Sequence, residues 1–210
     1  DLTDSAWRGV RSGILEAVGA IRDPRAASVL HAALDSDLRD YDVVRSTTEA
    51  LGKLGDDAAT EHLVRLATED GPTRLAVLDG LGYLKRVEAA RVLADEVAQP
   101  HTRATSKRLL RALSDVGNSW AWTRSIRLSA LPYGDEVREI AARALVEAFV
   151  RFDGDLRASA SNALMVVDHP GTPTLVTQVM ALASEELLAD LETLQARYAD
   201  NPLRKDRRKK

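Results

Sequence analysis

The chain has 210 residues, a net charge of −3 and no cysteine, and only 4% of its residues are aromatic. The missing cysteines exclude disulfides and thiolate-bound metals, and no apolar run approaches the roughly 18 residues that a membrane span needs. Charge is unevenly distributed, because residues 101–132 contain six Lys and Arg and a single Asp, whereas residues 1–100 and 133–200 are acidic. This composition is typical of packed helices, and we expect a cytoplasmic protein.

A short string recurs along the chain at a nearly constant spacing. Ala50–Asp56 reads Ala-Leu-Gly-Lys-Leu-Gly-Asp, and similar strings begin at Ala17, Gly80 and Ala112. A period of this length indicates stacked helical repeats, an α-solenoid. The second positions of the four strings are 33, 30 and 32 residues apart: Val18, Leu51, Leu81 and Leu113.

Each repeat is predicted to contain two antiparallel helices. In the second repeat, the first helix covers residues 43–54, because its apolar residues follow the 3, 4, 7 spacing of one helix face. Gly55 ends that helix at low conformational cost. Asp56 or Asp57 then caps a second helix over residues 58–68.

The other repeats follow the same plan. In the first repeat, Asp23 is expected to cap the second helix, with Pro24 at its first position. Residues 119–131 are expected to form the second helix of the fourth repeat, and a fifth repeat is expected to open at Gly134 and run to Phe152. The remaining predicted helices cover residues 7–21, 24–35, 73–84, 87–98 and 103–116.

The period breaks after the fifth repeat leucine, because Leu164 follows Leu145 by only 19 residues. We expect residues 156–167 and 172–183 to form a sixth, slightly irregular helix pair. The alternative is that residues 156–167 are the second helix of the fifth repeat.

The C-terminal region is predicted to close the stack. Residues 184–200 place Leu187, Leu191, Leu194 and Tyr198 on one helix face, as expected for a helix that covers the open end of a solenoid. We therefore predict a single solenoid domain over residues 1–200. Residues 201–210 contain six basic residues and no apolar period, and they are expected to be a disordered tail.

Residues 51–56 with the helix after them, and residues 137–145 (Val-Arg-Glu-Ile-Ala-Ala-Arg-Ala-Leu), resemble the short bacterial HEAT-like repeats first noted in phycocyanobilin lyases. The resemblance covers most of residues 8–183. It implies an all-α, right-handed α-α superhelix whose second helices line the concave face. An arginine early in the first helix also recurs and is expected to bond a loop or acid of a neighbouring repeat: Arg11, Arg45, Arg74, Arg138 and Arg157.

A candidate binding surface follows from aligning the second helices. If Leu30, Leu63, Leu93 and Ile126 are equivalent core positions, four arginines form a positive strip on the concave face: Arg65, Arg91, Arg124 and Arg127.

Two tryptophans lie at the start of the fourth second helix. Trp120 and Trp122 are two residues apart and so do not share a helix face. At most one is expected to be fully buried, and the other is a candidate aromatic anchor. The alternative is that both fill the gap between the fourth and fifth repeats.

These features favour a non-catalytic scaffold or adaptor that binds a protein partner, with acidic groups of the partner meeting the arginines. No catalytic residue, cofactor or metal is expected, because the four histidines are scattered and no phosphate loop or nucleophile elbow occurs. Lyase-type chromophore handling is supported by family analogy alone. The predicted partner-binding residues are Arg65, Arg91, Trp120, Trp122, Arg124 and Arg127.

The alternative function is nucleic-acid binding by residues 101–132 and the basic tail, because cations bind phosphates and aromatic rings stack on bases. A DNA-glycosylase-like enzyme belongs to this alternative. The HEAT-like alkylpurine DNA glycosylases use Trp and a catalytic Asp, and Asp115 precedes Trp120 and Trp122 here. Their order and spacing do not align with that family's motif.

Overall fold

The computed structural model describes residues 4–36, 40–55 and 57–204. Over these residues it contains no strand, one short 3-10 helix at Pro24–Ala26 and thirteen α-helices. The α-helices are, in order, α1 Asp4–Ile21, α2 Ala27–Ser36, α3 Tyr41–Leu54, α4 Asp57–Thr68, α5 Arg74–Leu81, α6 Val87–Ala98, α7 Arg103–Val116, α8 Ser119–Arg124, α9 Ile126–Ser129, α10 Gly134–Arg151, α11 Gly154–Val167, α12 Thr172–Met180 and α13 Glu185–Ala199.

The helices form two stacked rows, which confirms the predicted α-solenoid. The first row consists of α1, α3, α5, α7 and α11, each packed on the next. The second row continues through α4, α6, α10 and α12 in the same way, with α2 at its start. The structure thus has five helix pairs, and α13 packs against α11 and α12 at the C-terminal end.

Small residues in the recurring string let the first-row helices approach closely. A Cβ at Gly19 would lie 2.5 Å from the Cα of Ala50 in α3, and a Cβ at Gly80 would lie 2.4 Å from the Cβ of Thr48. No larger residue fits at these crossings. The string recurs because the same close contact recurs between successive repeats.

The turn after each first helix also repeats. Gly55 ends α3 in the left-handed conformation, with φ of 65°, and its N–H donates to the carbonyl of Leu51 at 2.9 Å. This confirms the predicted helix end, because glycine adopts positive φ without a Cβ clash. Asp23 also caps as predicted, and its carboxylate accepts from the N–H of Arg25 at 2.9 Å. Asp56 lies outside the described residues.

The predicted fourth and fifth repeats need correction. Residues 119–131 do not form one helix of the second row, because the helix is interrupted at Ser125, which lies between α8 and α9. Helix α10 takes that place instead and packs between α6 and α12. It is therefore the second helix of the fourth repeat, and not the first helix of a fifth. Helices α11 and α12 form a pair, as favoured, but that pair is the fifth.

The recurring arginines have a structural role. Arg74 donates to the carbonyl of Ala67 at 2.7 Å, and Arg157 donates to that of Phe152 at 2.8 Å. A cation at a helix C-terminus satisfies carbonyls that have no partner within the helix. Arg45 bonds Glu16 of the preceding repeat at 3.0 Å. These contacts join neighbouring helices, as expected from the sequence.

The C-terminal end of the stack is sealed by polar and apolar contacts. Leu191, Leu194 and Tyr198 of α13 are buried. The Tyr198 hydroxyl donates to the carbonyl of His169 at 2.5 Å. Asn201, 1% exposed, donates to the carbonyl of Met165 at 2.9 Å. Packing therefore continues beyond the predicted boundary at residue 200, and residues 205–210 of the predicted tail lie outside the described residues.

Candidate functional site

A cleft of about 530 Å³ lies along the edge of the solenoid where first helices turn into second helices. We call it the basic cleft. The turns after α1, α3, α5 and α7 bring their residues to the same edge, and α8 and α9 close its far side. The lining residues are Arg22, Gly52, Lys53, Gly55, Tyr83, Leu84, Lys85, Arg86, Asp115, Asn118, Trp120, Ala121, Arg124, Ser125, Leu128 and Leu131.

Positive charge dominates the lining of the basic cleft. Asp115 is the only carboxylate among the described residues that line it. Clustered cations with low-dielectric walls concentrate a positive potential and attract anionic groups. The five cationic side chains are Arg22, Lys53, Lys85, Arg86 and Arg124.

Two of these cations occupy the same left-handed position of the repeat. Arg22 has a φ of 57° and Lys85 a φ of 38°, whereas the equivalent residue of the second repeat is Gly55. A non-glycine residue in this conformation costs about 1 kcal/mol. Such strain is commonly found at functional positions. Arg22 and Lys85 therefore occupy two turn positions at which glycine would have a lower conformational energy.

Contacts within the chain hold three of the cations in place. The Nζ of Lys85 donates to the carbonyls of Gly82, at 3.1 Å, and Asp115. Burial lowers the pKa of Lys85 to about 8, although the neighbouring carboxylate of Asp115 opposes that change. Lys53 pairs with Glu49 at 2.7 Å. Arg86 donates to the carbonyl of Gly55 at 2.7 Å.

Arg22 and Arg124 differ from these three. No carboxylate within the described part of the chain pairs with either guanidinium. The guanidinium of Arg124 lies 4.5 Å from the ring centroid of Trp120, which is 44% exposed. This is a cation–π arrangement at the surface. Two cations and one exposed aromatic ring are therefore available to a ligand.

The two predicted tryptophans have different roles. Trp122 is 4% exposed, and its Nε1 donates to the carbonyl of Val116 at 2.9 Å. Its ring packs edge-on against Tyr133, with centroids 6.2 Å apart. Only Trp120 is exposed and lines the basic cleft. Of the two alternatives, the structure therefore has one core tryptophan and one surface tryptophan.

The predicted arginine strip on the second-helix row is not formed. Arg124 lies in α8, which is outside that row, and the side chain of Arg127 is not described. Arg65 pairs with Glu69 at 3.0 Å, and Arg91 pairs with Glu136 at 2.8 Å. The alignment was wrong because residues 119–133 are an insertion, and α10 follows α6 in the row.

A groove of about 620 Å³ does lie on the second-helix face, between α4 and α6. Arg65, Arg86 and Tyr133 line it, but so do acidic residues. Its charge is therefore mixed, unlike that of the basic cleft. The acidic lining residues are Asp57, Glu61 and Glu88.

Carboxylates from outside the basic segment 101–132 pair with three of its six cations. Arg103 and Lys107 of α7 both pair with Asp155. On the opposite side of α7, Arg108 pairs with Asp79. The sequence gives no sign of this, because both acidic partners lie outside the segment. The fold therefore offsets part of the excess charge of this segment.

Asp115, the residue of the glycosylase comparison, lies in the last turn of α7. Burial raises the pKa of its carboxyl, although Lys85 and Arg111 oppose that change. Asp115 and Trp120 share the basic cleft, whereas Trp122 does not line it. The three residues of that comparison are therefore not assembled at one site.

A histidine pair was missed in the sequence. His31 of α2 and His62 of α4 stack with ring centroids 5.3 Å apart, and their Nδ1 atoms are 3.0 Å apart. Their spacing of 31 residues equals one repeat period, which is the signal that predicts such a contact. The described residues contain no group of three or more His, Cys, Asp or Glu side chains that could hold a metal ion.

One comparison with known proteins agrees with the fold of the N-terminal repeats. The family model of HEAT repeats matches residues 2–82. No curated protein matches the chain by sequence. Among solved structures, the complex of CpcE and CpcF of phycocyanin lyase from Nostoc sp. PCC7120 is similar over 94% of this chain and 95% of that chain, at 20% identity and a TM-score of 0.43. A likeness at this level supports no conclusion about function.

None of the helices in the described ranges is long and apolar enough to cross a membrane. The N-terminal helices α1 to α5 coincide with the match to the HEAT model, and the later pairs continue the same stack. Residues 2–82 match the model of HEAT repeats, as the recurring strings predict.

Proposed function

We propose that this chain is a non-catalytic scaffold that binds an acidic segment of a protein partner in the basic cleft. The observation that carries the proposal is the pair of strained turn residues, Arg22 and Lys85, that place cations in the cleft where glycine costs less. The backbone strain at Arg22 is not accompanied by an ion pair with a described carboxylate, as expected if this side chain is retained for binding a partner.

The unpaired groups of the cleft fit carboxylates. The guanidinium groups of Arg22 and Arg124 can each bind a carboxylate in a bidentate manner. Trp120 lies beside Arg124 and offers an exposed apolar surface to a neighbouring side chain. An acidic segment that also contains apolar side chains satisfies both features.

A protein partner is favoured over nucleic acid by the distribution of free charge. A bound strand needs a series of phosphate contacts along its backbone. Arg103, Lys107 and Arg108 are engaged by acidic side chains and are not available for such a series. In the described part of the chain, the basic cleft brings together two cations that no carboxylate pairs, Arg22 and Arg124. The fold of a HEAT-repeat solenoid is also well suited to extended protein surfaces.

The test is binding of a fluorescent short peptide of Glu, Asp and Leu, measured by fluorescence anisotropy. The double variant Arg22→Glu, Arg124→Glu is compared with Arg143→Glu, which reverses an exposed arginine on α10 outside the cleft. We expect the double variant to weaken binding at least about tenfold and the control to leave it unchanged. Binding should also weaken as salt rises.

Two results overturn the proposal. One is unchanged affinity of the double variant for the acidic peptide. The other is equal binding of a matched peptide in which Lys replaces Glu and Asp. A single-stranded oligonucleotide is measured in parallel, and tighter binding of this probe, with the same loss in the double variant, assigns the cleft to nucleic acid instead.

A further inference from the structure

The N-terminal end of the solenoid carries an exposed apolar surface on helix α1. Helix α1 packs against α3 on one side, and its other side faces outward. Exposed helix faces are normally rich in charged and polar residues, but every exposed residue of α1 whose side chain is described is apolar or glycine. They are Ala6, Trp7, Gly9, Val10, Gly13, Ile14, Ala17, Ala20 and Ile21.

The spacing of the larger members is that of a helix-pairing seam. Trp7, Val10, Ile14, Ala17 and Ile21 are separated by three and four residues in alternation. This alternation places side chains along one stripe that meets a second helix. We call these five residues the α1 stripe. Trp7, Ile14 and Ile21 are each more than half exposed.

Two glycines beside the α1 stripe have no role within the chain. A Cβ at Gly9 or at Gly13 would meet no atom within 4 Å. Gly19, on the opposite side of the same helix, lies where α3 leaves no room for a Cβ. Mid-helix glycine lowers helix stability relative to alanine. Gly9 and Gly13 therefore leave room for another backbone to approach this side of α1.

The pattern of the α1 stripe fits a second copy of itself. In an antiparallel pair centred near residue 12, Trp7 lies opposite Ala17, and Val10 lies opposite Ile14. Large side chains then face small ones, and medium side chains face each other. None of the five residues of the α1 stripe is charged, so that pairing the stripe with itself brings no like charges of the stripe together. Self-complementarity of this kind is what a two-fold symmetric interface requires.

The other end of the molecule does not fit the α1 stripe. The exposed face of α13 includes Glu185, Glu186 and Glu192. Stacking that end on α1 would cover charged carboxylates with apolar side chains, which is unfavourable. A head-to-tail filament is therefore disfavoured, and an end-to-end pair through α1 is favoured.

The extent of the surface is adequate for a stable pair. Helix α1 has 18 residues and is about 27 Å long, so the α1 stripe crosses the whole end of the molecule. Stable interfaces bury about 800 Å² on each partner, and the proposed pair can use the full length of α1 on both copies.

We propose that two copies of this chain form a symmetric dimer in which their α1 helices pack antiparallel through the α1 stripe. The proposal is independent of the basic cleft, which is lined by turn residues and by α8 and α9.

The first test measures mass by sedimentation equilibrium of the full chain over a range of concentrations. The unaltered chain is expected to dimerise. Val10→Glu with Ile14→Glu should raise the dimer dissociation constant at least about 30-fold, because both carboxylates would be buried in the interface. Leu182→Glu, at a residue 92% exposed in the C-terminal half, should leave the constant unchanged.

Gly13→Leu separates the interface from helix stability. It should strengthen α1 as a helix and still weaken the dimer, because a side chain then occupies the space of the second backbone. Circular dichroism verifies that each variant remains folded.

Two results overturn the proposal. One is an unaltered chain that is monomeric at every concentration, and the other is a dimer that tolerates both the double variant Val10→Glu, Ile14→Glu and the variant Gly13→Leu.

The second test determines the arrangement of the helices. Because the chain contains no cysteine, single cysteines can be introduced without competing thiols. A mixture of Val10→Cys and Ile14→Cys chains should form the mixed disulfide preferentially. Efficient disulfide formation by Val10→Cys alone indicates parallel helices and overturns the antiparallel arrangement, as does the absence of any crosslink.

Discussion

The two ends of this solenoid are closed in different ways. At the C-terminal end, α13 buries Leu191, Leu194 and Tyr198 and presents carboxylates to solvent. At the N-terminal end, α1 buries one side against α3 and presents apolar side chains and glycines on the other. A solenoid needs a polar outer face at each end to remain a soluble monomer. The two ends thus differ in what they present: α13 covers the core with a charged outer face, whereas the outer face of α1 is apolar.

Core truncation at the two ends gives the largest expected difference. Leu191, 0% exposed, should cost about 2–5 kcal/mol of unfolding free energy when replaced by alanine, because a cavity remains under α13. Ile14, 56% exposed, should cost less than about 0.5 kcal/mol in the monomer. Urea unfolding at low protein concentration measures both. Equal losses would contradict the view that only the C-terminal end is sealed.

Glycine replacements on the two sides of α1 give a smaller, opposite pair of effects. Gly19→Ala should destabilise the chain by roughly 1–3 kcal/mol, because its Cβ would overlap Ala50. Gly13→Ala should stabilise the monomer by about 0.5–1 kcal/mol, because the new Cβ meets no atom. Thermal unfolding of both variants checks the signs. Destabilisation by Gly13→Ala at low concentration would mean that this side of α1 is not free in the monomer.

Acidification is expected to have the smallest effect, and it acts at both ends. Burial lowers the pKa of His62, and burial also lowers the pKa of His169 near the C-terminal end. The unfolded chain, with histidine pKa near about 6.5, then binds more protons than the folded chain below that pH. The free energy of unfolding should therefore fall as pH decreases below about 6.5.

Replacing each histidine by glutamine separates the contributions of the two ends. His62→Gln and His169→Gln should each flatten part of the pH dependence, as measured by urea unfolding at several pH values. His62 should account for the acid sensitivity of the N-terminal repeats. Its Nδ1 lies 3.0 Å from that of His31, and a hydrogen bond between these two nitrogens requires that one of them carries no proton. A pH profile unchanged by His62→Gln would assign the acid sensitivity elsewhere.

The contrast between the regular and irregular repeats shows which features of the fold a sequence pattern can predict. Gly55, Asp23 and the contacts of Arg45, Arg74 and Arg157 were predicted correctly, because each acts within one helix end or between adjacent repeats. Arg138 also bonds a neighbouring turn, but it does so from α10, a second helix, and not from a first helix as predicted. The fourth repeat was not, because residues 119–133 imitate a second helix in length and amphipathicity. Only packing decides whether α8 or the later helix α10 occupies the position beside α6 in the second row.

The candidate site was predicted only in part. Trp120 and Arg124 line the basic cleft, and Arg22, Lys53, Lys85 and Arg86 were missed. The missed residues lie in turns that are far apart in sequence. Arg22 and Lys85 share one position of the repeat, so the periodicity contains this information. The sequence does not indicate which cations are neutralised, because partners such as Asp155 for Lys107 come from another repeat.

The sequence by itself determined the fold class, the repeat period, most helix ends and the small residues at helix crossings, because these depend on local periodicity and on contacts repeated at a fixed spacing. The tertiary structure alone decided which helix entered each row, which arginines remained unpaired and which face of α1 was left exposed. Those outcomes depend on contacts between residues far apart in the chain, whose energies become defined only when the helices are stacked.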